Sequence, residues 1–232
     1  THKMREVLSF SDRLVVLRHG KNVGSMKTSD ASEKKIARLM VGSETQKVSA
    51  KRIKPGGPIL SLNEISVAGQ SKRDSLHDVN LILNSNEILG IAGISGNGQN
   101  VLADLISGLV APDRGSIVLK GVAIENISPF NMIKSGFGRI PEDRHRQGIV
   151  GGLSVSENMI IERLDDPQIQ NFGFLRSSVI NKNAKTLSEK YDVRGPGIDQ
   201  ASRLLSGGNI QKLILARVFE KQPEIILANQ PT

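Results

Sequence analysis

Two stretches of this 232-residue sequence have residue types and spacing that could handle an anion. The first is Gly93-Ile94-Ser95-Gly96-Asn97-Gly98-Gln99-Asn100, placed between an apolar run and a helical pattern. Glycines there let the backbone curl through positive φ and aim several N–H groups at one phosphate. The helix that follows adds its partial positive charge. Gly93 and Gly98 match both glycines of the phosphate-loop spacing G-x-x-x-x-G-K-[ST], but Gln99 stands at the Lys position and Asn100 at the Ser/Thr position. A lysine–phosphate hydrogen bond contributes about 1.5–3 kcal/mol and a neutral one about 0.5–1.5 kcal/mol, so Gln99 weakens such a site roughly tenfold. Asn100 offers a carbonyl oxygen where a hydroxyl would help hold Mg²⁺. Taken alone, the stretch reads equally as a Gly-rich turn with no ligand. A dinucleotide reading fails, because Val101 occupies the third glycine position.

The second stretch is Leu205-Ser206-Gly207-Gly208-Asn209-Ile210-Gln211-Lys212. Ser206 can cap the helix beginning here, and Gly207 and Gly208 leave its first amides open to an anion. Ser206 alone would mark no more than an ordinary capped helix.

The elements that must position these residues follow from periodicity. Residues 59–67 and 79–83 alternate apolar and polar, as half-buried antiparallel strands do. Residues 87–93 form a continuous apolar run that predicts a buried strand feeding the glycine loop. Leu102, Leu105, Ile106 and Leu109 fall on one helical stripe over 101–109. Residues 116–119 and 224–228 read as strands, and 154–187 as mostly helical with breaks near Pro167 and Gly173. Ile210, Leu213, Ile214 and Val218 give 206–219 one apolar helical face. Strands alternating with helices predict an α/β fold with a largely parallel central sheet. Near the start, residues 13–22 predict a hairpin edge, and 32–40 a short helix behind Ser32.

Composition narrows the function classes. With 38% hydrophobic residues the chain can build a core, and without cysteine it has neither disulfides nor thiol catalysis. Aromatics at 3% leave little for base stacking. The net charge of +8 would suit a nucleic-acid binder, but it is unevenly placed. Residues 1–57 carry 13 basic and 5 acidic side chains, whereas 58–232 carry 18 of each. Lys54-Pro55-Gly56-Gly57-Pro58 reads as a linker, which predicts a basic segment followed by an electroneutral domain.

The octet beginning at Leu205 closely resembles the L-S-G-G-Q-x-Q-R signature of ATP-binding cassette (ABC) proteins. Ile225-Ile226-Leu227-Ala228-Asn229-Gln230-Pro231 resembles that family's Walker B strand, h-h-h-h-D-E-P, and the loop, signature and strand occur in the family's order. Gly138-Arg139-Ile140-Pro141-Glu142-Asp143-Arg144 resembles the P-E-D-R segment of second cassettes in tandem subunits of bacterial simple-sugar and nucleoside importers, with Glu142 at the Q-loop position. The opening residues resemble the close of a preceding cassette, with His2 as its switch histidine.

The resemblance implies a P-loop NTPase fold with an antiparallel β-subdomain and a helical signature subdomain. It divides the chain into the tail of a first cassette (1–50), a linker (51–58) and a second cassette (59–232) ending after the Walker B strand, before its D-loop and switch histidine. It implies ATP and Mg²⁺ as cofactors. As partners it implies another cassette, membrane permease subunits and, indirectly, an extracellular solute-binding protein; the location would be the cytoplasmic face of the membrane. In the family, cassettes pair head to tail, and each ATP lies between one partner's loop and the other's signature. Ser95, Gly96 and Asn97 would line this chain's own loop. Asn100 and Asn229 would stand at its Mg²⁺ positions, and Gln230 at the catalytic Glu position. Gln230 cannot accept a proton from water. The expectation is therefore division of labour: Ser206, Gly207, Gly208 and Asn209 serve the site on the other cassette, while the Gln99 site binds nucleotide weakly or not at all. No aromatic stands near 67–70 to stack on adenine. Arg144, His145 and Arg146 read as a solvated charge run. The alternatives are an ABC-type ATPase of DNA repair or translation, disfavoured by the neutral second domain, and a Rossmann oxidoreductase.

Overall fold

A computed structural model describes residues 4–18, 20–41, 53–69, 71, 73–94 and 96–231. His2, Ser95 and Gln70 lie outside the described residues, as do 51 and 52 of the expected linker. The chain forms two compact units, Thr1–Ile53 and Lys54–Thr232.

The first unit holds α1 (Met4–Phe10), β1 (Arg13–Arg18), β2 (Lys21–Lys27) and α2 (Glu33–Val41). β1 and β2 pair antiparallel with Arg13 opposite Lys27. Alternation along β1 sends Leu14 and Val16 inward, where they meet Ile36 of α2. Ser32 Oγ accepts from the Lys35 N–H at 3.3 Å, the cap expected from its position.

The second unit opens with β3 (Pro58–Val67) and β4 (Leu76–Asn84), then α3 (Gln99–Ile106), β5 (Arg114–Leu119), β6 (Val122–Ala123), α4 (Pro129–Lys134) and β7 (Phe137–Ile140). The antiparallel sheet runs β4-β3-β5-β6. Leu60, Leu62, Ile65 and Val67 of β3 point into a core completed by Leu105 and Ile106, Ile117, Met132 and Phe137. At Gly115, with φ +91°, a side chain would collide with the Asn63 and Glu64 backbone, so only glycine lets β5 pass β3 there.

α5 (Val155–Ile160), the β8–β9 hairpin (Gln170–Asn171, Phe174–Leu175), α6 (Ser177–Lys190) and α7 (Gly207–Glu220) form a helical layer before β10 (Ile225–Ala228). Its core gathers Val155, Met159, Ala184, Leu187 and Leu205 around the apolar face of α7. Ile210, Leu213, Ile214 and Val218 are at most 1% exposed, as their spacing predicts. Burying each contributes about 1.5–3 kcal/mol. β10 pairs parallel with β7, Ile225 opposite Phe137 and Ala228 opposite Ile140.

Three sequence expectations need correction. Residues 87–93 are not a buried strand: Ile88 is 99% exposed and Ile91 50%, and no described strand pairs with them. A parallel strand gets its hydrogen bonds only from neighbours, so an apolar run without a partner stays irregular and open. For the same reason the parallel sheet is, among the described residues, the two-strand ladder β7–β10. Finally, α3 stops at Ile106, and Leu109 lies beyond it, 53% exposed.

Candidate functional site

The glycine loop enters α3 through two left-handed residues, Gly96 (φ +86°) and Gly98 (φ +87°). Both conformations are ones glycine adopts without a Cβ penalty. Gly96, Gly98 and Asn100 line a cavity of about 640 Å³ together with Asp74, Asp104, Arg139, Glu142, Arg144, Gln211, Asn229 and Gln230. Gly96, Gly98 and Asn100 of the loop and Asn229 and Gln230 of the second motif are thus brought to one cavity at the end of the β7–β10 ladder, whereas Gly93, Asn97 and Gln99 do not line it. There Asn229 extends the pairing, its N–H donating to Ile140 O at 2.9 Å. Gln230 has φ +43°, turning the chain as it leaves the strand.

The lining chemistry is acidic. Asp74, Asp104, Glu142 and Asp143 face Arg139 and Arg144, four carboxylates against two guanidiniums among the described lining residues. Arg139 Nη2 is already held by Asp104 Oδ1 at 3.1 Å and by Gln147 Oε1 at 3.4 Å. The Arg146 N–H, with that of His145, bonds Asp143 Oδ1 and holds its carboxyl below the usual range, so it stays charged.

Gln99 turns back into the loop. Its Nε2 donates to Ile94 O at 3.0 Å and its Oε1 accepts from the Asn97 N–H at 3.1 Å.

Ser206 Oγ caps α7, accepting from Asn209 N at 3.4 Å and Asn209 Nδ2 at 2.9 Å. Asn209 Oδ1 in turn accepts from Arg194 N at 2.8 Å, which fixes this turn from behind. Ser206 and Gly208 are exposed, and neither they nor Gly207 and Asn209 line the cavity. Ser206, Gly207, Gly208 and Asn209 therefore face a different space from the loop, and of the octet Gln211 alone reaches the cavity. The two spaces are linked through Arg144, whose guanidinium lies where a Cβ on Gly207 would be, 2.9 Å from Nη2. Arg144 Nη1 donates to Gln211 Oε1 at 3.1 Å, and Gln211 Nε2 reaches Pro231 O. Arg144 is thus a bridge rather than the solvated charge its sequence context suggested; His145 and Arg146 are exposed.

A buried amide that sequence reading missed supports the signature. Asn158 is fully buried on α5. Its Oδ1 accepts from Val150 N at 2.8 Å, and its Nδ2 reaches Val150 O, Ser154 O and Ser202 Oγ at 2.9–3.0 Å. It ties the segment after Arg144 to the residues just before Ser206. A lone Asn inside a helical pattern carries no sequence signal of such a role.

The profile of the ABC transporter family matches residues 76–232. The chain belongs to the ABC transporter family. Among curated relatives it is 40% identical to a glucose import ATP-binding protein of Haloferax volcanii, over 100% of this chain and 43% of that protein. It is 35% identical to a nucleoside import ATP-binding protein of Lactococcus lactis (100% and 46%) and 36% identical to a guanosine import ATP-binding protein of Bacillus subtilis (95% and 44%). The chain thus spans less than half the length of these relatives. A solved dimeric ATP-binding cassette with ADP and phosphate aligns at TM-score 0.57 and 22% identity, over 75% of each chain. A nucleotide-free ABC transporter cassette aligns at TM-score 0.59 and 21% identity, over 75% of this chain and 70% of that one. At these identities the two structures share the fold, a P-loop NTPase cassette.

ABC cassettes take nucleotide, and this cavity can be tested against it. A Mg²⁺–nucleotide needs loop amides aimed at phosphate and carboxylates on the metal. Here the Asn97 N–H is turned inward, carboxamides stand at Asn100 and Asn229, and the lining is net acidic. The residues at this cavity do not fit a hydrolysable Mg²⁺–nucleotide. Among the described residues no helix is long and apolar enough to cross a membrane.

Proposed function

We propose that the chain is part of the ATP-binding subunit of an importer for nucleosides or simple sugars, in which residues 59–232 form a second cassette that supplies its signature to another cassette's ATP site. The observation that carries this is the separation of the two motifs. The signature is nearly intact, with Ser206 and Gly208 exposed, whereas the chain's own loop opens on a cavity whose residues do not fit hydrolysis. Relatives named for glucose, nucleoside and guanosine import support the solute class.

In this reading the first amides of α7, which have no intrahelical acceptor, and the Ser206 hydroxyl donate to a phosphate bound on the partner. Arg144 holds the helix start at Gly207, while Asn209 and Arg194 fix the turn. At the chain's own loop Gln230 orients no attack, because a carboxamide takes no proton from water. ATP and Mg²⁺ belong to the competent site on the other cassette. His2, at the switch position, would serve that cassette too, and residues 1–50 would be its tail. Permease subunits would dock on the cytoplasmic side of the membrane, with the solute-binding protein engaged through them. The neutral second unit favours no nucleic-acid partner.

Ser206→Arg in the complete subunit with its permease tests the reading. It places a bulky cation at the exposed helix start and is expected to abolish ATPase activity. Activity equal to the parent's would sink the proposal.

A further inference from the structure

Gln99 does more than lack the charge of a lysine. It is the first residue of α3, following Gly98, and its side chain folds back across the loop instead of extending from it. Two loop groups are consumed. Ile94 O accepts from Gln99 Nε2 at 3.0 Å and from the Asn97 N–H at 3.2 Å. The same Asn97 N–H also points to Gln99 Oε1 at 3.1 Å. The result is a closed ring of hydrogen bonds inside the loop. Gly93 makes room for it: a Cβ there would run into Nε2.

We propose that the Gln99 carboxamide is the phosphate loop's own ligand, holding the loop in its curled shape and competing with any phosphate for it. A phosphate needs the Asn97 N–H turned outward, so binding must first open the ring. Each neutral hydrogen bond lost weakens binding several-fold, and part of the loss is recovered when the freed groups meet water or ligand. The net penalty is about tenfold. The carboxamide thereby lets an unliganded cassette keep a folded loop as a wall of the cavity.

This deepens the proposal that the loop is a degenerate nucleotide site and rests on it. A lost charge and a competing side chain predict opposite results for one substitution. If Gln99 were merely a weak lysine, Gln99→Ala would bind no better than the parent. If it is a competitor, Gln99→Ala binds more tightly although it deletes a polar group. Gly93→Ala evicts the carboxamide without removing it, so it also tightens binding.

Isothermal titration calorimetry of the 232-residue chain with MgATP, and with pyrophosphate to separate phosphate from adenine contacts, reads the effect. Circular dichroism melting curves establish that each variant folds. Gln99→Ala and Gly93→Ala are each expected to bind both probes about tenfold more tightly than the parent. If Gly93→Ala does not fold, Gln99→Ala and Gln99→Ser decide. Failure of the folded variants to tighten overturns the proposal. If Gln99→Lys nonetheless gains affinity, the nucleotide-site reading survives that failure; if Gln99→Lys also binds neither probe, both readings fall.

Discussion

Asn158→Asp should unfold the helical layer out of proportion to its size. The substitution keeps the shape of a side chain that is 0% exposed and replaces Nδ2 with an oxygen. Oδ1 can still accept from Val150 N. The new oxygen, however, faces Val150 O, Ser154 O and Ser202 Oγ at 2.9–3.0 Å, and Leu153 O at 3.3 Å. Three of these are carbonyls, so an ionised carboxylate there meets lone pairs without solvent, and burial favours its neutral form. Its pKa is raised in the folded state and ordinary in the unfolded chain, at about 3.9. The folded variant is therefore penalised as pH rises above that value, by about 1.4 kcal/mol per unit for as long as the folded carboxyl stays protonated. The penalty approaches about 4 kcal/mol at pH 7 and about 1.5 kcal/mol at pH 5. Urea unfolding followed by circular dichroism, parent against variant at both pH values, measures it. A deficit under about 1 kcal/mol at pH 7, or one equal at the two pH values, would refute the buried-donor account.

Other substitutions probe the same architecture. Arg144→Ala removes a charged donor from Gln211; discounted for its partial exposure, this costs about 1 kcal/mol and about 2–4 °C in melting temperature. Gly207→Ala should be better tolerated in that background than in the parent, because its Cβ no longer meets the guanidinium; equal costs in both backgrounds would deny the contact. The Ser154 hydroxyl and N–H lower the Glu157 pKa in the capping box that starts α5. That stabilisation is present above the ordinary carboxylate range near 4.3 and is lost as pH falls through the depressed folded value. Because the carboxylate is largely screened by solvent and Gln can still close the capping box, Glu157→Gln should trail the parent by only about 0.5 kcal/mol at pH 7 and by less at pH 3 in thermal melts.

What the sequence made legible was local. Ser206 announces a cap, and Ile210, Leu213, Ile214 and Val218 announce the buried face of α7, because both signals lie within a few turns of one helix. β3 and β4 read from their alternation for the same reason. The run at 87–93 has equally clear composition, yet whether it becomes a strand depends on a neighbour that local pattern does not reveal. The β8–β9 hairpin was missed because Phe172 and Phe174, 94% and 79% exposed, point where a pattern search expects polar residues. β7, with glycine and arginine inside it, was recognised through its motif rather than as a strand.

At the site, sequence identified the residue types and their loss of charge at Gln99, Asn229 and Gln230. It could not place Asn158, the Arg144–Gln211 bridge or the inward turn of Gln99. Each depends on side-chain contacts set by the fold, and for the first two these partners lie more than 40 residues away.

If this cassette lends its signature, turnover occurs at the other cassette's loop and not at Gln99. The most direct measurement is vanadate trapping of photoreactive azido-ATP on the complete subunit in its permease complex, followed by peptide mapping. One trapped nucleotide per subunit is expected, with no label on residues 93–100, and trapping is lost in Ser206→Arg. Two trapped nucleotides, with label on 93–100, would contradict it.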